Sequence, residues 1–166
     1  MLFLIESAVL CLFFTGMVVP SLYKDPVAWV SDYPPAIRQR ARALGLIPAE
    51  QKEMPPAVIA RKVIAALVIA VLLAVVLVFV NGTRSFGEGF LISYGLWLVV
   101  DWYDALVIDC LWFCHSKRAV LPGTEDMVKD YHDYGFHCKM SAFGMVLGLP
   151  VALLVGLTVQ LLAPVV

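Results

Sequence analysis

Four titratable side chains in one apolar stretch of the sequence are the residues best suited to chemistry. Asp101, Asp104 and Asp109 are followed by His115 at the end of the stretch 89–115. A charge in the hydrocarbon core of a membrane costs at least about 2.5–3.5 kcal/mol, so carboxylates there usually face protein or water and mark a functional site. The alternative is that they only hydrogen-bond to neighbouring helices.

Helical spacing predicts which of these side chains share a face. At about 100° per residue, Asp101, Asp104 and His115 fall within a sector of about 60°, and Asp109 flanks that sector. We therefore predict Asp101, Asp104 and His115 as catalytic residues, with Asp104 and His115 as the acid–base pair.

The connector 116–139 contains more aromatic and titratable side chains than a passive connector requires. Its densest part runs from Tyr131 to Cys138. We predict that this connector folds near the acidic stretch and helps to bind substrate. The predicted substrate-binding residues are Asp109, Trp112, Glu125, Asp126, His132 and His137.

A divalent metal ion is the cofactor that these residue types would bind. Carboxylates one turn apart can share a cation, and imidazole groups bind zinc or another transition metal. The candidate ligands are Asp101, Asp104, His115, His132 and His137. Their spacings match no standard metal site, so the cofactor stays unknown at this point.

The elements that position these residues are predicted to be membrane-spanning helices. Of the 166 residues, 61% are hydrophobic and 15% are charged, and the mean hydropathy is +0.88. Soluble domains carry about 25% charged residues, whereas apolar blocks of about 20 residues can cross a bilayer. We predict an all-α integral membrane four-helix bundle in one domain, residues 1–166, with helices near 1–19, 57–80, 89–115 and 141–163.

Lysine and arginine predict the orientation of these helices. Eleven of the 12 lie in or beside the connectors 20–62 and 116–139. Because positively charged connectors stay in the cytoplasm, we predict that both connectors are cytoplasmic, that both termini face outward, and that the membrane is the plasma membrane. The net charge of −1 argues against nucleic acid as a partner.

Cap residues predict helices inside the connectors. A helix near 34–45 is expected to begin after Asp32 as its N-cap and to end at Gly45. Its arginines and apolar face are typical of an amphipathic helix on the cytoplasmic leaflet, although a solvated helix fits as well. In the second connector, Thr124 is predicted to cap a short helix that has Glu125 in its first turn.

Small residues at every fourth position of the last helix predict close helix packing. The last-helix stripe consists of Gly144, Gly148, Ala152 and Gly156. Such stripes let helix backbones approach each other within one chain or between copies. A homo-oligomer formed through this stripe is therefore a candidate assembly.

The sequence leaves three functional hypotheses open. The first is a membrane-embedded enzyme that acts on a lipid-like or amphiphilic substrate, because the polar groups lie toward the cytoplasmic side. The second is a proton- or cation-coupled transporter or channel subunit that works as an oligomer and is favoured if Glu6 faces Asp101. The third is a non-catalytic membrane subunit or assembly factor that docks through its connectors.

Overall fold

The computed structural model describes residues 1–48 and 56–165, which form helices and no strands. The α-helices are α1 (Leu2–Lys24), α2 (Pro35–Ala43), α3 (Pro56–Phe79), α4 (Phe86–Tyr103), α5 (Val128–Tyr131) and α6 (Tyr134–Leu162). A π-helical segment, Asp104–Trp112, continues α4, and short 3-10 helices occupy Pro26–Asp32, Phe113–His115, Lys117–Ala119 and Ala163–Val165. The all-α prediction is confirmed for these residues.

Four of the described helical stretches are long and apolar enough to cross a membrane. They are Leu2–Lys24, Pro56–Phe79, Phe86–His115 and Val128–Leu162. Large apolar side chains are exposed along all four, as expected for surfaces that lipid rather than water would cover. The chain therefore has the character of an integral membrane protein, and the bundle arrangement and orientation stay predictions.

The chain divides into two compact units. The span unit comprises Met1–Ala8, Glu53–Val99 and Phe143–Val166, and the connector unit comprises Val9–Lys52 and Val100–Ala142. Every residue predicted above to contribute to a catalytic or substrate-binding site belongs to the connector unit. The predicted site residues therefore all fall within one compact unit.

Small residues allow the helices of the span unit to pack closely. A Cβ atom added at Gly148 would lie 2.4 Å from the Trp97 ring, and one at Gly156 would lie 2.9 Å from the Phe86 carbonyl oxygen. The Trp97 indole also donates a 3.0 Å hydrogen bond to the Gly144 carbonyl. The last-helix stripe thus packs against α4 of the same chain, which confirms its predicted packing role, while the homo-oligomer stays a prediction.

The connector unit is built around its own hydrophobic core. This core consists of Leu22, Tyr33, Ile37, Ala41, Phe113, Cys114, Ala119, Leu121 and Tyr131. Of the three residues predicted as the apolar face of this helix, Ile37 and Ala41 are fully buried in the core, whereas Leu44 is exposed. Protein therefore covers most of that face, and the amphipathic helix on the cytoplasmic leaflet stays a prediction.

The C-terminal end of α2 agrees with the prediction, and its N-terminal end does not. Gly45 has a φ of 72° and its amide bonds to the Arg42 carbonyl, while the Leu46 amide bonds to the Ala41 carbonyl, so the predicted C-terminal cap is confirmed. The predicted N-cap at Asp32 is wrong, since α2 begins at Pro35 with Pro34 before it. Asp32 instead ends the preceding 3-10 helix.

Thr124 does not cap a helix. The short helix α5 begins only at Val128, and the buried Thr124 hydroxyl donates to the Leu121 carbonyl at 2.7 Å. The Tyr131 hydroxyl lies 2.7 Å from the same threonine oxygen and accepts the Leu121 amide at 2.9 Å. Thr124 and Tyr131 therefore stabilise a turn in the connector core, where their polar groups have no access to water.

The connector before the last helix is shorter than predicted. Helix α6 begins at Tyr134, so residues 134–139 of the predicted connector are helical, and α6 ends at Leu162. Asp133 stabilises this early start, because its Oδ1 accepts the Phe136 amide at 2.9 Å. The early start places His137 on the first turns of a long helix.

Replacing Gly148 by alanine is expected to destabilise the protein by about 1–3 kcal/mol, the usual cost of overpacking. The indole of Trp97 is held by its hydrogen bond to Gly144 and cannot move away without losing it. Thermal unfolding in mild detergent measures the effect. The matched control is Gly16→Ala, where no atom lies within 4 Å of the new methyl group. Equal stability of the two variants would contradict the packing described here.

Candidate functional site

The π-helical segment determines which acidic residues share a face. In a π-helix the hydrogen bonds run from residue i to i+5, so Asp104 and Asp109, five residues apart, come to lie one above the other. Both side chains line the same cavity. The predicted arrangement of these side chains around the helix assumed α-helical spacing as far as residue 115, and it is therefore wrong beyond Asp104. Asp109 lies on the same face as Asp104 instead of flanking it.

Three carboxylates and an imidazole line a cavity in the connector unit, which we call the acidic cavity. Its lining includes Asp32, Asp104, Asp109 and His137 together with Trp29, Tyr33, Trp112 and apolar side chains of α1, the π-helical segment and α6. Its volume is about 160 Å³. A smaller cavity of about 120 Å³ shares Asp104, Asp109 and His137 and adds Asp101 and Ser141.

His137 and Asp109 form a hydrogen-bonded pair at the acidic cavity. Nδ1 of His137 lies 2.9 Å from Oδ2 of Asp109. An ionised carboxylate only accepts hydrogen bonds, so with Asp109 ionised Nδ1 carries the proton, and in a neutral ring Nε2 then has a free lone pair. His137 is 2% exposed, and its Nε2 has no hydrogen-bond partner among the described residues.

Aromatic side chains hold the His137 ring in place. Phe113 and Phe136 approach it edge to face, with ring centroids 5.5 Å and 5.3 Å away. Such contacts fix a ring orientation that a single hydrogen bond would leave free to tilt. The free Nε2 atom is thus held in a defined place.

The other two intramembrane carboxylates have different surroundings. Oδ2 of Asp101 accepts a 2.7 Å hydrogen bond from the Ser141 hydroxyl. The Asp104 carboxylate forms no hydrogen bond or ion pair within residues 1–48 and 56–165. Asp101 is therefore partly satisfied by the protein, whereas Asp104 is available to a ligand in the cavity.

The predicted pair of Asp104 and His115 is not brought together. His115 is exposed and lies beside His132, with ring centroids 4.7 Å apart, and its Nε2 is 3.2 Å from the Tyr134 hydroxyl. His115 and His132 line a separate cavity of about 230 Å³ with Glu125. His137, predicted as a substrate-binding residue and as a candidate metal ligand, instead pairs with Asp109 and lines the same cavity as Asp104.

Of the other residues predicted to bind substrate, Trp112 lies at the acidic cavity and Asp126 lies outside it. Trp112 lines the acidic cavity, and its indole donates to the Tyr23 hydroxyl at 3.1 Å. Asp126 is exposed and forms an ion pair with Arg40 at 3.0 Å. Asp126 therefore has a partner outside the acidic cavity.

The candidate metal ligands do not converge. Within the described residues, no group of three or more His, Cys, Asp or Glu side chains is arranged to hold a metal ion. His115 and His132 share one cavity, and Asp101, Asp104 and His137 share another. The structure therefore offers acid–base and hydrogen-bonding groups in the acidic cavity, and the identity of a cofactor stays open.

Sequence reasoning missed the contribution of residues 29–33. Trp29, Asp32 and Tyr33 line the acidic cavity, although they lie far from the acidic stretch in sequence. The Tyr33 hydroxyl donates to the Ala119 carbonyl at 2.7 Å, which ties the two connectors together. The only signal was local: an aromatic and acidic segment directly before two prolines.

No family model, curated protein or solved structure matches this chain. The geometry of the acidic cavity is therefore the basis for a functional proposal.

Replacing Tyr33 by phenylalanine is expected to lower the free energy of unfolding by about 1–3 kcal/mol, because the buried Ala119 carbonyl loses its donor. Burial raises the pKa of Tyr33, so the hydroxyl stays a donor through neutral and mildly alkaline pH. Denaturant titration in detergent measures the change. Tyr134→Phe, at an exposed tyrosine, is expected to change stability by less than about 0.5 kcal/mol; equal losses in both would contradict the role of Tyr33.

Proposed function

We propose that this protein is a membrane-embedded enzyme that acts on an amphiphilic substrate, with Asp109 and His137 as its acid–base pair. One observation carries the proposal. A nearly fully buried histidine that lines a cavity pairs through Nδ1 with a carboxylate, and its buried Nε2 has no partner among the described residues. Burying a polar atom without a hydrogen bond costs free energy, so such an atom in a folded protein points to a ligand or a reaction.

The pair supports a proton-transfer step. Nε2 of His137 accepts a proton from an O–H or N–H group of the substrate, or from a water molecule that attacks it. The Asp109 carboxylate stabilises the imidazolium ion that forms and keeps the ring in the tautomer that leaves Nε2 free. The ring later returns the proton to a leaving or product group. General acid–base catalysis of this kind contributes about 10²- to 10⁴-fold to a rate.

The walls of the acidic cavity support an amphiphilic substrate. Phe14, Val18, Leu22, Ile108 and Met140 line the same space as the carboxylates. The volume of about 160 Å³ is below the roughly 300–1,000 Å³ typical of pockets for whole drug-sized ligands. A polar headgroup fits such a space while its hydrocarbon chain stays among apolar side chains and lipid.

We infer that the acidic cavity serves the cytoplasmic side of the plasma membrane. Residues 29–33 belong to the first Lys/Arg-rich connector, and His137 lies on the first turns of α6, directly after the second. Connectors with this charge stay in the cytoplasm. A substrate headgroup in the cytoplasmic leaflet would then have direct access to the pair.

The test is turnover by the reconstituted full chain. Wild-type protein in vesicles made from the lipids of its native membrane is expected to convert one lipid class, detected by untargeted mass spectrometry. His137→Gln and Asp109→Asn are expected to slow this conversion by about 10²- to 10⁴-fold, because each removes one member of the pair.

Asp130→Asn is the matched control, since Asp130 lies on α5 and does not line the acidic cavity. Its conversion rate is expected to equal that of wild type. Undiminished conversion by His137→Gln would overturn the proposed role of the pair.

A second candidate, a proton-coupled transporter subunit, is favoured by one observation in the span unit. Both carboxylate oxygens of Glu6 are buried and have no partner among the described residues. Such a group on a membrane-spanning helix is typical of a site that binds a coupling proton or cation.

If Glu6 carries protons, Glu6→Gln is expected to slow the decay of a pH gradient imposed across liposomes that contain the protein. The amide cannot take up and release a proton at neutral pH. Glu88→Gln is the control, because Glu88 is exposed and accepts the Arg84 amide. Gradient decay no faster than in empty liposomes would exclude this candidate.

A further inference from the structure

The hydrogen-bond donors that line the acidic cavity are already engaged within the protein. Tyr33 donates to the Ala119 carbonyl at 2.7 Å, and Ser31 donates to Asp32 at 3.3 Å. The two indoles are also engaged: Trp29 donates to the Ser21 hydroxyl at 3.2 Å, and Trp112 donates to the Tyr23 hydroxyl at 3.1 Å. A ligand in the cavity finds these donors occupied.

The polar atoms left for a ligand are acceptors. The carboxylate of Asp104 has no partner within the described residues, and Nε2 of His137 has a free lone pair because Nδ1–H is donated to Asp109. Ionised carboxylates have no hydrogen to donate. With Asp104 ionised and the His137 ring neutral, a ligand satisfies these atoms by bringing hydrogen-bond donors of its own.

The negative charge of the residues that line the acidic cavity also restricts which headgroups can bind there. The carboxylates of Asp104 and Asp109 line the cavity, and none of the described residues that line it is a lysine or an arginine. Like charges at short range repel strongly away from bulk water, so a phosphate or carboxylate headgroup is disfavoured. A positively charged group is attracted by the same carboxylates.

Aromatic side chains in the lining of the acidic cavity also favour binding of a cation. Trp29 and Trp112 line the cavity with Tyr33, and indole rings are the side chains that attract cations best. A metal ion fits less well, since within the described residues no three suitable ligands are arranged around one point. An organic ammonium group needs only acceptors and aromatic contacts.

We propose that the substrate of the acidic cavity is an amphiphile with a primary or secondary ammonium headgroup. Its N–H groups donate to the Asp104 carboxylate and to Nε2 of His137, and its hydrocarbon chain follows the apolar wall. This inference rests on the proposed function and adds the substrate class to it. A hydroxyl headgroup supplies a donor without the charge, and a phosphate headgroup brings negative charge instead.

The experiment compares three ligands that share a dodecyl chain. Full-chain protein in phosphatidylcholine nanodiscs is titrated with dodecylamine, dodecanol or dodecyl phosphate by calorimetry, and partition into empty nanodiscs is subtracted. Dodecylamine is expected to bind at least about tenfold more tightly than dodecanol, because it adds charge to a donor. Dodecyl phosphate is expected to show no binding above the empty discs.

Asp104 variants assign the preference to the acidic cavity. Asp104→Asn is expected to weaken dodecylamine binding about tenfold, and Asp104→Glu is expected to restore most of it, because the charge returns. Asp130→Asn is expected to leave binding unchanged. Thermal unfolding of each variant confirms that it is folded, and a folded Asp104→Asn with wild-type affinity would overturn the inference.

The outcomes separate this inference from the proposed function. Equal binding of dodecanol and dodecylamine, or tighter binding of dodecyl phosphate, would overturn the ammonium headgroup even if lipid turnover still required His137. An ammonium preference that depends on Asp104 would support the inference even if turnover proved independent of His137, and in that case only the enzyme proposal would fall.

Discussion

Placing carboxylates on an apolar helix is the constraint on which the connector unit depends. Each ionised carboxylate needs polar neighbours, water or an opposite charge, and along a membrane-spanning helix such surroundings are scarce. The π-helical segment Asp104–Trp112 places Asp104 and Asp109 on the lining of one cavity instead of on different faces of the helix. Helix α6 then supplies His137 to Asp109 and Ser141 to Asp101.

A rigid surrounding keeps these groups in place. Tyr33 and Tyr131 pack edge to face with centroids 6.0 Å apart in the core of the connector unit, and Phe113 packs against both. The tyrosine hydroxyls are satisfied by backbone groups of residues 119 and 121. Phe113 also contacts the His137 ring, so the core that orders the connectors is the same core that orients the pair. Stability and the orientation of the pair are therefore difficult to separate at Phe113.

Local signals in the sequence predicted the elements but not the site. Apolar length predicted four candidate membrane-spanning helices, and a glycine at position 45 predicted the end of α2, because both effects depend on a few neighbouring residues. The pairing of Asp109 with His137 joins residues 28 apart and depends on a π-helical turn that departs from the usual 3.6-residue period. With ordinary α-helical spacing, His115 was the expected base. The predicted helix cap at Thr124 is wrong for a related reason, because the Thr124 hydroxyl forms its hydrogen bond within a buried turn.

The position of one proton links the proposed chemistry to the proposed specificity. Asp109 can only accept a hydrogen bond, so it retains the proton on Nδ1 of His137 and leaves Nε2 as a lone pair. That lone pair is a base toward a substrate and, before any proton moves, an acceptor that selects a donor. Because the neighbouring Asp104 is an acceptor as well, a headgroup that satisfies the cavity also presents the proton that His137 can take. A headgroup with acceptors alone would leave both groups buried and unpaired, which costs more than a missing favourable contact. In this proposal Nε2 of His137 serves both as the base and as a binding group, whereas the Asp104 carboxylate serves binding alone, so a substrate that reacts there is first a hydrogen-bond donor.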